Sequence, residues 1–116
     1  MKLSGEEKVV NIFNGNLSIG NSTTLAESIN KFKMLYIKVG VSPSYVPVPV
    51  IPSQNSLRGL NAYASSTSLD TVSVLATKSA DGKTFTLNNV SDWRISASGN
   101  NNLGTYNTVT EIWRVL

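Results

Sequence analysis

Thr24–Val39 reads TLAESINKFKMLYIKV, and its period changes half-way. Leu25, Ile29 and Phe32 stand at i, i+4 and i+7, which places them on one face of a short helical turn. Thr24 and Glu27 have the spacing of a capping box, so the turn is predicted to start at Thr24. After Lys33 the pattern becomes strict alternation, with Leu35, Ile37 and Val39 on one face and Met34, Tyr36 and Lys38 on the other. That is the signature of a half-buried strand. A turn that feeds directly into the chain's clearest strand marks where a core must lie.

On either side the chain reads as more strands. Lys8–Asn14 is rich in β-branched residues and is predicted to stop at Gly15. Leu17 and Ile19 alternate with polar residues in a short second strand closed by Gly20-Asn21. Pro43, Pro47, Pro49 and Pro52 exclude a central strand beyond Gly40, because proline has no amide to donate to a ladder. Pro47 and Pro49 share one side, so Tyr45–Ile51 reads either as an extended edge segment paired through its other side or as an unpartnered polyproline-type loop. Leu57–Ala64 reads as a strand with Gly59 as a bulge, and Thr71–Lys78 as a strand with Val72, Val74 and Ala76 on one face. Ser79–Lys83, with Asp81-Gly82 at its tip, is the best hairpin signal in the chain and returns through Thr84–Asn89. Asp92–Ser98 places Trp93, Ile95 and Ala97 together, a phase that predicts burial for Trp93. Gly99–Gly104 reads as an amide-rich loop. Tyr106–Leu116 reads as a long strand, apolar on both faces, hence central in the fold or part of a subunit contact. No helical period exceeds the turn at Thr24. The expectation is an all-β protein, an antiparallel β-sandwich with one short helical turn, organised as an N-terminal tail over 1–7 and a single domain over 8–116.

Composition narrows the function classes. The 116 residues contain no cysteine and no histidine, which excludes disulfides, thiolate zinc sites, cysteine nucleophiles and every imidazole-based mechanism. Charged residues make up only 15%, and the polarity is supplied by Asn, Ser and Thr, a mixture typical of β-rich surface proteins. The net charge is +3, but the basic residues are scattered with no stripe, so nucleic acid is not an expected partner. Met1–Glu7 has no apolar run of the secretory type, and no segment approaches the length of a membrane-spanning helix, so neither secretion by that route nor membrane insertion is expected.

The seven acidic residues offer one conceivable catalytic couple, Asp92 with Glu111; the others fall in the tail, at the turn, at the hairpin tip and, in the case of Asp70, beside a polar turn. No catalytic residue, cofactor or metal is assigned. For binding, exposed aromatic rings stack on the apolar faces of sugars while amides and guanidinium groups take the hydroxyls. Tyr63, Trp93 and Tyr106 beside loops, Arg58 as a donor, and the amides of Asn100, Asn101 and Asn102 are the candidate ligand-binding residues. Tyr45 and Arg94 are further possibilities, and Trp113, inside the terminal strand, is expected in the core or at a subunit interface.

One resemblance spans nearly the whole chain from Lys8. It is carried by Phe13-Asn14-Gly15, by Leu25–Lys33 running into Leu35–Val39, by Lys83-Thr84-Phe85-Thr86-Leu87, and by Val109–Val115. In this order the segments resemble the C-terminal receptor-binding (head) domain of phage and prophage tail-fibre proteins, especially those directed at Gram-positive bacteria. The resemblance implies a sandwich of jelly-roll type, a homotrimer at a fibre tip in the virion tail, and non-enzymatic binding of host cell-surface carbohydrate. The alternative within the same setting is a structural tail or baseplate protein that trimerises and contacts only other tail proteins. The pattern has no catalytic signature. The proline-rich Val46–Pro52 departs from it, and whether the chain is a stand-alone protein or an excised fibre domain is left open.

Overall fold

The alternation after Lys33 becomes strand β3 (Met34–Val39), in which Leu35, Ile37 and Val39 are buried and Met34, Tyr36 and Lys38 are partly exposed. The computed structural model describes residues 9–40, 45–104 and 107–115; the tail assigned to 1–7 lies outside them. Besides β3 it contains β1 (Val9–Ser18), β2 (Ser22–Thr24), β4 (Tyr45–Pro49), β5 (Ser56–Ala64), β6 (Ser68–Lys78), β7 (Thr84–Ser96), β8 (Gly99–Asn102) and β9 (Thr108–Val115). One sheet has the order β1-β9-β3-β4; the other has the order β2-β7-β6-β5, with β8 paired to β7. All described pairings are antiparallel. The chain alternates between the sheets over β1, β2 and β3, and β9 inserts between β1 and β3, so the two antiparallel sheets interleave into one sandwich. β3–β4 and β5–β6–β7 are hairpins within one sheet.

The inner faces supply one core. Leu35, Ile37, Val46, Val48, Val109 and Ile112 from the first sheet meet Leu57, Val74, Ala76, Phe85 and Leu87 from the second, all at 2% exposure or less. Each of these side chains except the single methyl of Ala76 contributes about 1.5–3 kcal/mol by leaving water.

The helical turn is shorter and starts later than its spacing predicts. Thr24 is paired with Thr84 in β2, so it is already extended. A single 3-10 turn, Ile29–Lys31, is capped by Ser28, whose Oγ accepts from the Asn30 amide at 3.2 Å. Glu27 is no capping partner: it takes Arg114 Nε at 3.1 Å, and the Arg114 guanidinium lies 4.7 Å from the centre of the Phe32 ring. Leu25, Ile29 and Phe32 are nonetheless buried, as their spacing requires. The turn is clasped to the β6–β7 hairpin tip by Leu25 N to Lys83 O (2.7 Å), Ile29 N to Gly82 O (2.8 Å) and Ser28 Oγ to Asp81 O (2.6 Å).

Other boundaries move for identifiable reasons. Gly15 does not stop β1; the strand continues to Ser18 through register shifts at Asn11/Phe13 and Asn14/Leu17, so the separate second strand expected at Leu17 is the end of β1. Tyr45–Pro49 is the edge strand paired to β3, which decides against the unpartnered loop. Thr84–Asn89 and Asp92–Ser98 fuse into the thirteen residues of β7. A shift there, with Leu75 opposite Asn89 but Ala76 opposite Leu87, makes Asn88 an extra residue and reverses the phase. Phe85 and Leu87 point inward before it, Val90 and Asp92 after it. Trp93 therefore faces outward and is 42% exposed, contrary to the burial its spacing with Ile95 predicts. Gly99–Asn102 is not a loop but strand β8, turned back on β7 through Ala97-Ser98.

Gly59 is not a bulge either, since β5 and β6 pair without a shift. It lies at the seam where β5 passes β4, and a Cβ built on it would come 2.5 Å from Pro47 O and 2.6 Å from Val48 Cγ2. Asn61 Nδ2 donates across the same seam to Tyr45 O at 3.0 Å.

Candidate functional site

At the end of the second sheet nearest the β5–β6 turn, the inner face opens into a cleft of about 210 Å3. Pairing register puts Tyr63, Asp70, Arg94 and Asn101 in one row across β5, β6, β7 and β8. Asn61, Val72 and Asp92 form the next row inward. Tyr63, Asp70, Val72, Asp92, Arg94 and Leu103 line the cleft. Its volume suits a single ring rather than an extended chain.

Arg94 grips Asp70 with two parallel bonds, Nε to Oδ1 at 2.8 Å and Nη2 to Oδ2 at 2.9 Å. The hydrogen bonds from Arg94 hold the Asp70 carboxyl below the usual carboxylate range, and the carboxylate raises the guanidinium in return. The pair is open to solvent, so its worth lies in geometry rather than stability. Each partner still has unused capacity: donors on the guanidinium and second lone pairs on the carboxylate. Tyr63 is 38% exposed, and its hydroxyl accepts from Asn61 Nδ2 at 3.2 Å. Asp92 is 2% exposed at the floor, where its carbonyl accepts from the Leu103 amide at 2.9 Å. A ring face, a fixed donor–acceptor pair and a buried carboxylate are thus held on three strands of one rigid sheet.

The candidate residues do not all gather here. Tyr63 and Asn101 lie in the cleft row. Trp93 and Asn102 are paired to each other, and Ile95 to Asn100, on the opposite, outer face. Asn102 also braces the turn after β8, its Oδ1 accepting from the Gly104 amide at 2.9 Å. Arg58 lies towards the other end of β5, exposed between two shallow grooves. Tyr106 lies outside the described residues. The weight that Asp70 carries was missed, because it emerges only once Arg94 is known to be its cross-strand partner.

Comparison with protein-family models, with curated proteins and with solved structures finds no match.

The proposed carboxylate couple is not assembled. Asp92 faces inward from the second sheet, whereas Glu111 faces outward from the first, with the core between them. Nor does any group of three or more acidic side chains converge to hold a metal ion among the described residues.

Glu111 belongs to a different cluster, on the outer face of the first sheet. Its Oε1 accepts from Trp113 Nε1 at 2.8 Å and from the Tyr45 hydroxyl at 3.2 Å, while its Oε2 meets Lys38 Nζ at 3.3 Å. The Tyr45 and Trp113 rings stand edge to face at 86°, with centroids 6.4 Å apart. Trp113 is accordingly half-buried on the outer face and not in the core. The Trp113 hydrogen bond, with those from Lys38 and Tyr45, lowers the Glu111 carboxyl from its ordinary value. A carboxylate lowered on folding contributes stability that is present above the unfolded glutamate range and is lost as pH falls through the lowered value. Glu111→Gln is therefore expected to flatten the acid limb of a thermal-stability profile below about pH 4.5. An unchanged acid limb in the variant would count against this role.

Proposed function

We propose that this chain is a non-enzymatic binding module of a phage or prophage tail tip that takes one residue of a host cell-surface saccharide in the cleft formed by Tyr63, Asp70 and Arg94, acting as a homo-oligomer. The observation that supports the reading is the row itself. A partly exposed ring on β5 stands directly opposite Asp70 of a bidentate Asp–Arg pair that spans β6 and β7, which is how a site can stack on one face of a sugar and engage neighbouring hydroxyls with a donor and an acceptor at once. The cleft lining holds two carboxylates and one guanidinium, so a neutral or amino sugar fits it better than a uronate. The tail-tip setting rests on the resemblance carried by Leu25–Val39 and Val109–Val115.

Calorimetric titration with cell-wall glycan fragments tests the reading. Tyr63→Ala and Arg94→Ala are each expected to weaken binding about tenfold or more, with thermal stability close to wild type because both side chains are solvent-accessible. Absence of binding to any cell-wall glycan, or binding by both variants as tight as that of wild type, would remove the cleft as the site. The structural tail-protein reading draws its support from a different surface.

A further inference from the structure

The outer face of the second sheet breaks the rule that a solvated strand face alternates to polar residues. Three rows across it read Leu60–Ser73–Ser91, Ala62–Thr71–Trp93–Asn102 and Ala64–Leu69–Ile95–Asn100. Leu60 is 58% exposed, Ile95 44%, Trp93 42% and Leu69 37%. Leu75, at 37%, extends the patch by one row, which it shares with its cross-strand partner Arg58 at the patch's edge. These side chains add nothing to the core, which lies on the other side of the sheet. The outer face of the first sheet is different in kind, because Lys38, Glu111, Tyr45 and Trp113 satisfy one another there.

We propose that this face docks a second copy of the same chain. Two observations select that occupant. First, the three rows contain no ionisable side chain; Asp70 and Arg94 lie on the inner face, and Arg58 stands at the far corner. An anionic surface or an acidic protein finds no counter-charge there, whereas two copies of a chain with net charge +3 meet on this face without opposing charges. Second, the area is of the right size. The five large side chains expose roughly 400–500 Å2, within the range of about 300–600 Å2 covered by a monomer's largest apolar patch, which is often functional. Pairing two such faces with their polar rims buries about 1,000–1,200 Å2, the lower bound of a specific interface. A four-stranded face also fits another sheet face in aligned packing. Self-association of moderate strength follows, with Trp93 and Leu60 as its anchors. The inference rests on the homo-oligomeric part of the proposed function, to which it assigns a surface, and is independent of the saccharide, because the cleft opens on the opposite side of the sheet.

Sedimentation equilibrium of the full chain over a wide concentration range tests it, with Trp93→Lys and Leu60→Lys beside two controls, Ile19→Lys and Ile51→Lys, whose side chains are equally exposed off the patch. The patch variants are expected to raise the dissociation constant about 30-fold or more, with circular dichroism and melting temperature unchanged, while the controls associate like wild type. A dimer broken by the patch variants supports the inference in its face-to-face form and argues against a trimer. A trimer broken by them supports the patch as one half of a head-to-tail contact. An oligomer indifferent to them overturns the inference while leaving homo-oligomerisation standing. A wild-type monomer at every concentration overturns both and leaves the face to a different protein, whatever the glycan titration shows.

Discussion

Replacing Gly59 by valine is expected to destabilise the domain by about 3 kcal/mol or more and to lower its melting temperature by about 10 °C. The reason is not conformational freedom. A Cβ at this position would stand 2.5 Å from the Pro47 carbonyl oxygen, which is backbone and cannot rotate away, and 2.6 Å from the buried methyl Val48 Cγ2. Valine's branches would have to separate β4 from β5, stretching the Asn61–Tyr45 hydrogen bond that crosses the same seam. Gly59→Ala should show a smaller loss in the same direction. A valine variant melting within two or three degrees of wild type, measured by scanning calorimetry, would mean that the sheets are less closely apposed than described.

Phe85→Ala is the other large effect, expected to cost about 3–5 kcal/mol. Phe85 is fully buried and among the largest side chains in the core. It is opposite Lys78 in β6 and Thr23 in β2, so both cross-strand partners are tied into ladders and yield little into the space left behind. Lys78 in particular is held with its ammonium donating to Pro52 O at 3.2 Å. Denaturant unfolding is expected to show a lower midpoint with an unchanged slope. Phe85→Leu should recover most of the loss, because it restores volume. Equal losses for the two variants would show that the cost is not that of a cavity.

Where one residue alternates with the next, the sequence was easy to read. β3 appears with its predicted bounds and its predicted buried face, whereas the two prolines left Tyr45–Ile51 open between an edge strand and an unpartnered loop, a choice that only the pairing of Tyr45–Pro49 with β3 decides. Legibility ended wherever a strand carries an extra residue. Asn88 in β7 reverses the phase of everything after it, which is why Trp93 seemed to share the fate of core residues. The shift between Val109 and Glu111 in β9 likewise turns both Val109 and Ile112 inward although they are three apart. Single-strand periodicity cannot register such insertions; they become visible only against the neighbouring strand. The cleft was hidden for the same reason. Tyr63, Asp70 and Arg94 are separated by up to 31 positions, and only the register of two successive hairpins brings them into one row. Their chemistry was on display throughout, but not their meeting.

The position of β9 bears on how the domain is made in a cell. It is the last of the described strands in chain order, yet it is internal, holding β1 on one flank and β3 on the other. Until it arrives, the first sheet has no centre, and Leu35, Ile37 and Val48 have only part of their cover. The β5–β6–β7 meander can form early from neighbouring segments, but closure of the sandwich must wait until β9 has been made. During that interval a nascent chain shows apolar strands with open edges, which makes crowding of polysomes and access to chaperones the conditions that govern its yield.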